Sequence, residues 1–151
     1  MVEPILSLSQ DVQGTRDGEL RQDLLLPPAG GSDTISEATD IKADGAASLA
    51  HCPVQVEIVA PTLTAAQLAD GQTVEYYVER YRNDTDTDTT KSVESVRVGT
   101  QTGADGEGAG GGTYFYKPHA NGAGYYRIRV RTSAGAGDPS AATVRKELVF
   151  Y

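Results

Sequence analysis

The sequence predicts an all-β protein, an antiparallel β-sandwich preceded by an extended N-terminal arm. Apolar and polar residues alternate in short runs, Gly-, Asp- and Asn-rich turns separate these runs, and no long stretch has a helical period. The clearest run is Tyr125–Arg131, in which Tyr126, Ile128 and Val130 fall on one face and the arginines fall on the other. Both a jelly-roll and an immunoglobulin-like sandwich are compatible with this pattern.

Residues 1–50 differ from the rest and predict the arm, while residues 51–151 predict the sandwich domain. The arm has short apolar clusters among many polar residues, with one strand expected near Gln22–Leu26 and another near Thr34–Lys42. A segment too poor in apolar residues to form its own core usually lies on another surface. The candidate partner-binding residues are the apolar side chains of this arm, Ile5, Leu6, Leu8, Leu24, Leu25 and Leu26.

The strands of the sandwich follow in order from residue 53. The first is Val54–Ile58, and after a helical turn at Thr64–Ala69 the strand Gln72–Arg82 directs Val74, Tyr76 and Val78 inward. The elements expected next are a strand at Ser92–Val98, a flexible Gly-rich loop at Gln101–Gly112, and strands at Thr113–Lys117, Gly124–Thr132 and Thr143–Tyr151. In the last strand we expect Val144, Leu148 and Phe150 to point inward.

Composition limits the partners that we expect. The 151 residues suit one domain, and the net charge of −8 disfavours binding to nucleic acid or to an anionic membrane. The single cysteine, Cys52, excludes an internal disulfide, and the N-terminus lacks the pattern of a signal peptide. We therefore expect no nucleic-acid partner, no membrane partner and synthesis in the cytoplasm.

The charge is uneven along the chain. Residues 119–151 contain five basic and two acidic groups, a balance of +3, against −11 for the rest. The five basic groups are Arg127, Arg129, Arg131, Arg145 and Lys146. They could form a basic face for an acidic partner or a neighbouring copy, but we favour cross-strand pairing of the arginines with Glu75 and Glu79.

No residue pattern predicts catalysis, a cofactor or a metal. The string Gly106–Gly111 fits G-x-G-x-x-G, but it leads into a strand, whereas phosphate binding needs a helix N-terminus. Glu75 and Glu79 would lie ~13 Å apart along one strand, too far for a glycosidase pair. Two histidines, His51 and His119, and one cysteine cannot complete a structural zinc site without carboxylates.

One acidic turn leaves a weak calcium site open. Asp84, Asp86 and Asp88 alternate with threonines, as carboxylates do in calcium loops. The sixth and twelfth positions, counted from Asp84, are Thr89 and Ser95 where a helix–loop–helix site needs Gly and Glu. An exposed turn held by aspartate side chains is the interpretation that we favour.

The order of segments resembles the head decoration (cement) proteins of tailed bacteriophages, in particular the Bordetella-phage type. The segments that carry the resemblance are Leu8–Asp11, Asp23–Leu26, Val54–Ile58, Leu63–Leu68, Asp70–Thr73, Tyr125–Val130 and Leu148–Phe150. The resemblance implies a β-sandwich without catalytic residues, forming a homodimer or homotrimer on the outside of a phage head. It further implies that the protein is made in the host cytoplasm, and that its arm binds the major capsid protein and stabilises the head by bridging capsid subunits.

A second resemblance covers about thirty residues and suggests an alternative function. Tyr125–Val130 followed by Thr132–Ser140 is similar to the penultimate strand and following loop of a fibronectin type III module, although the expected early Trp is missing. It implies a carbohydrate- or protein-binding module of a tail fibre or secreted protein. In that case the tyrosines at 77, 81, 114 and 125 should cluster in a groove.

Overall fold

A computed structural model describes residues 21–28, 33–35, 39–40, 54–81, 92–117, 125–135 and 137–150. Within these ranges the chain forms nine strands and no helix, which confirms the predicted all-β class. The strands are β1 (Arg21–Leu25), β2 (Asp33–Ile35), β3 (Thr39–Asp40), β4 (Val54–Ala60), β5 (Thr73–Tyr81), β6 (Glu94–Thr102), β7 (Gly112–Tyr116), β8 (Tyr125–Thr132) and β9 (Thr143–Phe150).

The strands form two antiparallel sheets. Sheet A has the order β1-β9-β4-β7, and sheet B has the order β2-β8-β5-β6. Strand β3 also pairs with β8, next to β2, so that β2 and β3 act as one interrupted strand. Pairing is nested, because β1 pairs with β9, β2 and β3 with β8, β4 with β7, and β5 with β6. This nested order is that of a jelly roll, and it differs from the immunoglobulin arrangement.

The strands that the structure describes within residues 1–50, the predicted arm, are part of the two sheets. Strand β1 lies at the edge of sheet A, beside β9, with Leu24 opposite Val144. Strands β2 and β3 lie at the edge of sheet B. The described part of the predicted arm therefore completes the sandwich, which explains why a segment with few apolar residues can form strands.

The core lies between the two sheets. Val74, Tyr76 and Val78 of β5 are buried against it, as the alternation predicts. The other buried apolar side chains of the core are Leu26, Val56, Ile58, Ala60, Leu63, Leu68, Tyr126, Ile128, Val130 and Val144. The pairing of β5 with β6 shifts by one residue between Tyr76 and Tyr77, and Val98, which lies at this bulge, packs against the core.

The Gly-rich loop is held in place, although its glycines predict a flexible hairpin. Asp105 and Gly106 both have positive φ, at 56° and 69°, as in the type I′ turns that close tight hairpins. Ala109 bonds to Leu63 through both backbone groups at 2.9 Å. At Gly108 a Cβ atom would overlap the Leu63 carbonyl oxygen, so glycine allows the close approach there. These glycines permit close packing of the loop against the segment at Leu63, a contact that the expectation of a flexible hairpin did not include.

Candidate interaction surfaces

The predicted partner-binding leucines of β1 divide between the two sides of sheet A. Leu24 packs against the core, and Leu26 is 2% exposed within it. Leu25 points to the outer side and is 62% exposed, so it alone of these three side chains is available to a partner. Ile5, Leu6 and Leu8 lie outside the described residues. Partner binding by the arm stays a prediction.

We call the outer side of sheet A "surface A". Its described side chains are Arg21, Asp23 and Leu25 of β1, Thr143, Arg145 and Glu147 of β9, Gln55, Glu57 and Val59 of β4, and Thr113 and Phe115 of β7. Phe115 is 55% exposed. Sequence reasoning missed it, although Tyr114 and Tyr116 pack against the core and strand alternation then directs Phe115 outward.

The ion pair on surface A is open to solvent. Arg145 Nε donates to Asp23 Oδ1 at 3.0 Å, and the two side chains are 37% and 49% exposed. Glu57 accepts a hydrogen bond from Gln55 Nε2 at 3.1 Å. Exposed pairs of this kind contribute little to stability, about 0–1 kcal/mol. Surface A is therefore a polar face with two exposed apolar side chains, one near each edge strand.

We call the outer side of sheet B "surface B". Its side chains come from β5 (Glu75, Tyr77, Glu79, Tyr81), β8 (Tyr125, Arg127, Arg129, Arg131) and β6 (Ser95, Arg97). The register places Glu75 opposite Arg131 and Glu79 opposite Arg127. Of the expected pairings between the C-terminal arginines and these carboxylates, that of Arg129 with Glu79 is observed, while Glu75 pairs with Arg97 of β6. The five basic groups of the C-terminal region do not form one basic face, because Arg145 lies on surface A and Lys146 is buried.

A buried carboxylate organises one half of surface B. Glu79 is 1% exposed and accepts hydrogen bonds from Arg129 Nε at 2.6 Å, from Ser95 Oγ at 3.0 Å and from the Tyr81 hydroxyl. The Arg127 guanidinium stacks over the ring of Tyr81, 4.9 Å from its centroid. Burial, followed by the bond to Glu79, raises the pKa of Tyr81 well above its ordinary value. The network thus contains a fully desolvated charge whose partners belong to the same sheet.

In the other half of surface B, the carboxylate that accepts the hydrogen bonds is Glu75, which is more exposed than Glu79. Glu75 accepts from Tyr77 at 2.8 Å and from Arg97 Nη1 at 3.0 Å. These contacts, with the Tyr77 bond first, lower the pKa of Glu75. The guanidinium of Arg129 stacks over the Tyr77 ring at 4.3 Å and links the two halves. The predicted outward face of β5 is therefore partly covered, and its charges are neutralised within the sheet.

Charged groups also lie on the inner side of the sheets. Lys146 is 2% exposed on the same side of β9 as Val144, where strand alternation places it, although basic residues are seldom buried. Near one end of the core, Arg80 Nε lies 3.5 Å from Glu94 Oε2, and the Tyr116 hydroxyl donates to Glu94 Oε1 at 3.0 Å. Burial and the Glu94 bond raise the pKa of Tyr116 to about 12.

An open groove of about 560 Å³ lies between β6 and the Gly-rich loop. Threonine hydroxyls, the Asp105 and Glu107 side chains and Tyr114 line it. Gln101 fixes its base, since its Nε2 donates to the carbonyl oxygens of Pro61 and Gly110 at 2.7 and 2.8 Å. The amide of Gly106, which a phosphate site would need, already donates to Asp70 at 2.9 Å.

The tyrosines expected to form a binding groove do not come together. Tyr77, Tyr81 and Tyr125 lie on surface B, and Tyr81 is fully buried. Tyr114 lies on the inner side of sheet A, where its ring centroid is 5.4 Å from that of Tyr76. The feature by which the alternative function was to be recognised is therefore absent from the described strands.

The remaining sequence candidates for chemistry lie outside the described residues. They are the Asp84, Asp86 and Asp88 turn, the His51–Cys52 pair and His119. Among the residues that the structure does describe, no three His, Cys, Asp or Glu side chains are grouped closely enough to bind a metal ion. The same part of the chain has no helix of the length and apolarity that crossing a membrane requires.

Comparisons with known proteins give only distant structural similarity. No protein-family model matches the sequence, and no curated protein matches it. Among solved structures, T=1 particles derived from infectious bursal virus align with 86% of this chain at a TM-score of 0.42 and 14% identity. The VP2 subviral particle of infectious bursal disease virus aligns with 86% of this chain at a TM-score of 0.35 and 12% identity. The chain spans about a quarter of those chains, 27% and 28%, and at these values the similarity carries no argument about function.

Proposed function

We propose that this protein is a structural component of a phage virion, a decoration protein that binds the outside of the head and bridges major capsid subunits. The proposal includes no catalytic step and no cofactor. The observation that carries it is surface A, where Leu25 and Phe115 are exposed on a face built from hydrogen-bonded strands. We propose Leu25 and Phe115, which lie on the two edge strands of this face, as the apolar anchors of contact with another protein.

The proposed mechanism is avidity. Each contact between one copy and one capsid subunit is weak, but a dimer or trimer that engages several subunits at once gains effective concentration. Within residues 1–50, strand β1 fixes the start of the sandwich to sheet A. Residues before β1 would then reach a neighbouring subunit from a defined point, with Ile5, Leu6 and Leu8 as the proposed contacts.

The test is co-sedimentation with purified phage heads that lack this protein. Removal of residues 1–30 would delete β1 and the core residue Leu26, and would therefore test folding. A variant lacking residues 1–20 leaves β1 intact, and we expect it to lose most head binding while its unfolding transition is unchanged. The matched control is the full chain with Thr102→Ser, an exposed position remote from surface A. Undiminished head binding by the shortened variant would refute the arm mechanism.

The second candidate function is a carbohydrate-binding module, and the groove beside the Gly-rich loop favours it. Hydroxyls, two carboxylates and one tyrosine ring are the groups with which proteins bind sugars. Asp105→Ala with Glu107→Ala should then abolish retention on immobilised bacterial surface polysaccharide without affecting binding to heads. Retention that survives this double change would exclude the groove as a sugar site.

A further inference from the structure

We propose that Asp105 is a site of spontaneous isoaspartate formation, and that the carboxylate of Asp70 slows this reaction by binding the amide of Gly106. The described part of the chain contains two Asp-Gly pairs, at residues 70–71 and 105–106, and the fold brings them into contact. The inference goes beyond the proposed function, because it concerns the Gly-rich loop and requires no capsid.

An aspartate that precedes a glycine readily rearranges, because glycine has no side chain to obstruct its own nitrogen. The glycine nitrogen loses its proton and attacks the side-chain carbonyl carbon (Cγ) of the aspartic acid. A C–N bond forms, the C–OH bond breaks and one water leaves, which gives a cyclic succinimide. Water then opens the ring, and opening at the former main-chain carbonyl leaves isoaspartate, in which the chain runs through the former side chain. The reaction requires no oxidant, metal or enzyme.

The Asp105–Gly106 pair forms the tip of an exposed turn. Asp105 has a φ of 56°, and both residues are exposed. Even a Cβ atom added at Gly106 would meet no atom of the described residues within 4 Å. Within this part of the structure, neither burial nor a neighbouring side chain therefore obstructs the approach of the Gly106 nitrogen to Asp105 Cγ.

A hydrogen bond to Asp70 occupies the nitrogen that would attack. Gly106 N donates to Asp70 Oδ1 at 2.9 Å. Ring closure has to break this bond, because the nitrogen must turn from Asp70 toward the side chain of Asp105. It also has to remove the proton of the nitrogen, and the negative charge that develops would then lie against the charge of Asp70, a contact that is destabilising. The Asp70 carboxylate thus opposes both steps.

The other Asp-Gly pair is restrained by the backbone. Gly71 N donates to the carbonyl oxygen of Gly103 at 2.9 Å, in the bridge that joins this segment to the residue after β6. The attacking nitrogen of this pair is therefore bonded to a main-chain atom, whereas that of Gly106 depends on one exposed side chain. In the folded protein we expect Asp105 to convert before Asp70.

Conversion at Asp105 would change the Gly-rich loop and the groove beside it. Isoaspartate adds one carbon atom to the main chain and removes one from the side chain. The turn is closed by a hydrogen bond from Ala104 N to Gly108 O at 3.1 Å, which a longer main chain would displace. Because the Asp105 side chain lines the groove, its carboxylate would move as well. The bond to Gly106 therefore preserves the shape of the groove as the protein ages.

The test compares folded wild type with folded Asp70→Ala during incubation for several weeks at neutral pH. Peptide mapping by mass spectrometry locates isoaspartate residue by residue, and labelling with an isoaspartyl methyltransferase measures its amount. Conversion at Asp105 should be at least ~10-fold faster in Asp70→Ala, the factor that corresponds to one hydrogen bond to a charged group. Urea unfolding checks that the variant keeps its fold, which we expect because the bond joins two exposed segments.

The matched control is Glu107→Ala, which removes an exposed carboxylate from the same loop but leaves the bond between Asp70 and Gly106 in place. Conversion at Asp105 should be nearly unchanged in this variant. Acceleration equal to that of Asp70→Ala would assign the effect to the charge of the loop and overturn the inference.

Hydrogen exchange of the Gly106 amide gives a second measurement that needs no substitution, since it removes the same proton from the same nitrogen. In folded wild type this exposed amide should exchange at least ~10-fold more slowly than in the unfolded chain. An unprotected Gly106 amide, or equal conversion at Asp105 in folded wild type and folded Asp70→Ala, overturns the inference.

Discussion

Surface A and surface B are the outer faces of one jelly roll, yet they differ in how far their ion pairs are exposed to solvent. Surface B buries Glu79 and surrounds it with an arginine, a serine and a tyrosine of its own sheet. Surface A keeps its ion pair between Asp23 and Arg145 in solvent. The difference shows that an outward position on a strand does not determine a residue's role. The charges of surface B are largely bonded within their own sheet, while the ion pair of surface A is open to solvent.

The largest expected difference between the two faces is in the free energy of unfolding. Glu79→Ala leaves Arg129, only 14% exposed, without its carboxylate, and should cost about 3–5 kcal/mol. The control Asp23→Ala removes the exposed carboxylate of surface A and should cost about 0–1 kcal/mol. Urea unfolding of both variants measures the difference. Equal losses would mean that the two faces do not differ as described.

A smaller effect should separate the two halves of surface B. Tyr81→Phe removes the hydroxyl donor of a buried carboxylate and should cost about 1–3 kcal/mol. Tyr77→Phe removes an equivalent donor from the more exposed Glu75 and should cost less than about 1 kcal/mol. The same urea experiment compares them, and a larger loss from Tyr77→Phe would contradict the assignment of the buried half.

The smallest expected effect is the loss, at acidic pH, of the stability that Glu75 contributes. The folded protein lowers the pKa of Glu75 below its ordinary 4.5, so this group stabilises the fold at neutral pH. Its contribution is present above the unfolded pKa and is lost as the pH falls through the folded pKa. The stability difference between wild type and Glu75→Gln should therefore shrink between pH 6 and about pH 3. A difference that is constant over this range would contradict the lowered pKa.

Local patterns predicted most of the fold. Strand alternation correctly predicts the inward faces of β5 and β8, because side-chain direction along a strand is a local property with a period of two residues. Val78 and Ile128, which are opposite each other in the register, both point inward as this period predicts. The nested pairing of β1 with β9 could not be predicted, since it joins segments more than a hundred residues apart. Neither segment contains a local sequence pattern that identifies its partner strand. The choice between jelly roll and immunoglobulin arrangement depends on that pairing.

The sites were harder to predict than the strands. Burial of Glu79 depends on donors from two other strands, and the register that brings Arg129 and Ser95 to it cannot be read from one sequence. The exposure of Phe115 could have been predicted from the sequence, because on a strand the middle one of three consecutive aromatic residues points to the side opposite the other two. Leu26 was assigned to a partner but lies in the core, since its position after β1 faces inward.

The nested strand order has a consequence for the synthesis of the protein. In sheet A, β9 lies between β1 and β4, and it is the last described strand to leave the ribosome. Until it emerges, β1 has no neighbour to bond with, and the centre of that layer is a gap. A nascent chain therefore cannot complete sheet A before β9 has left the ribosome.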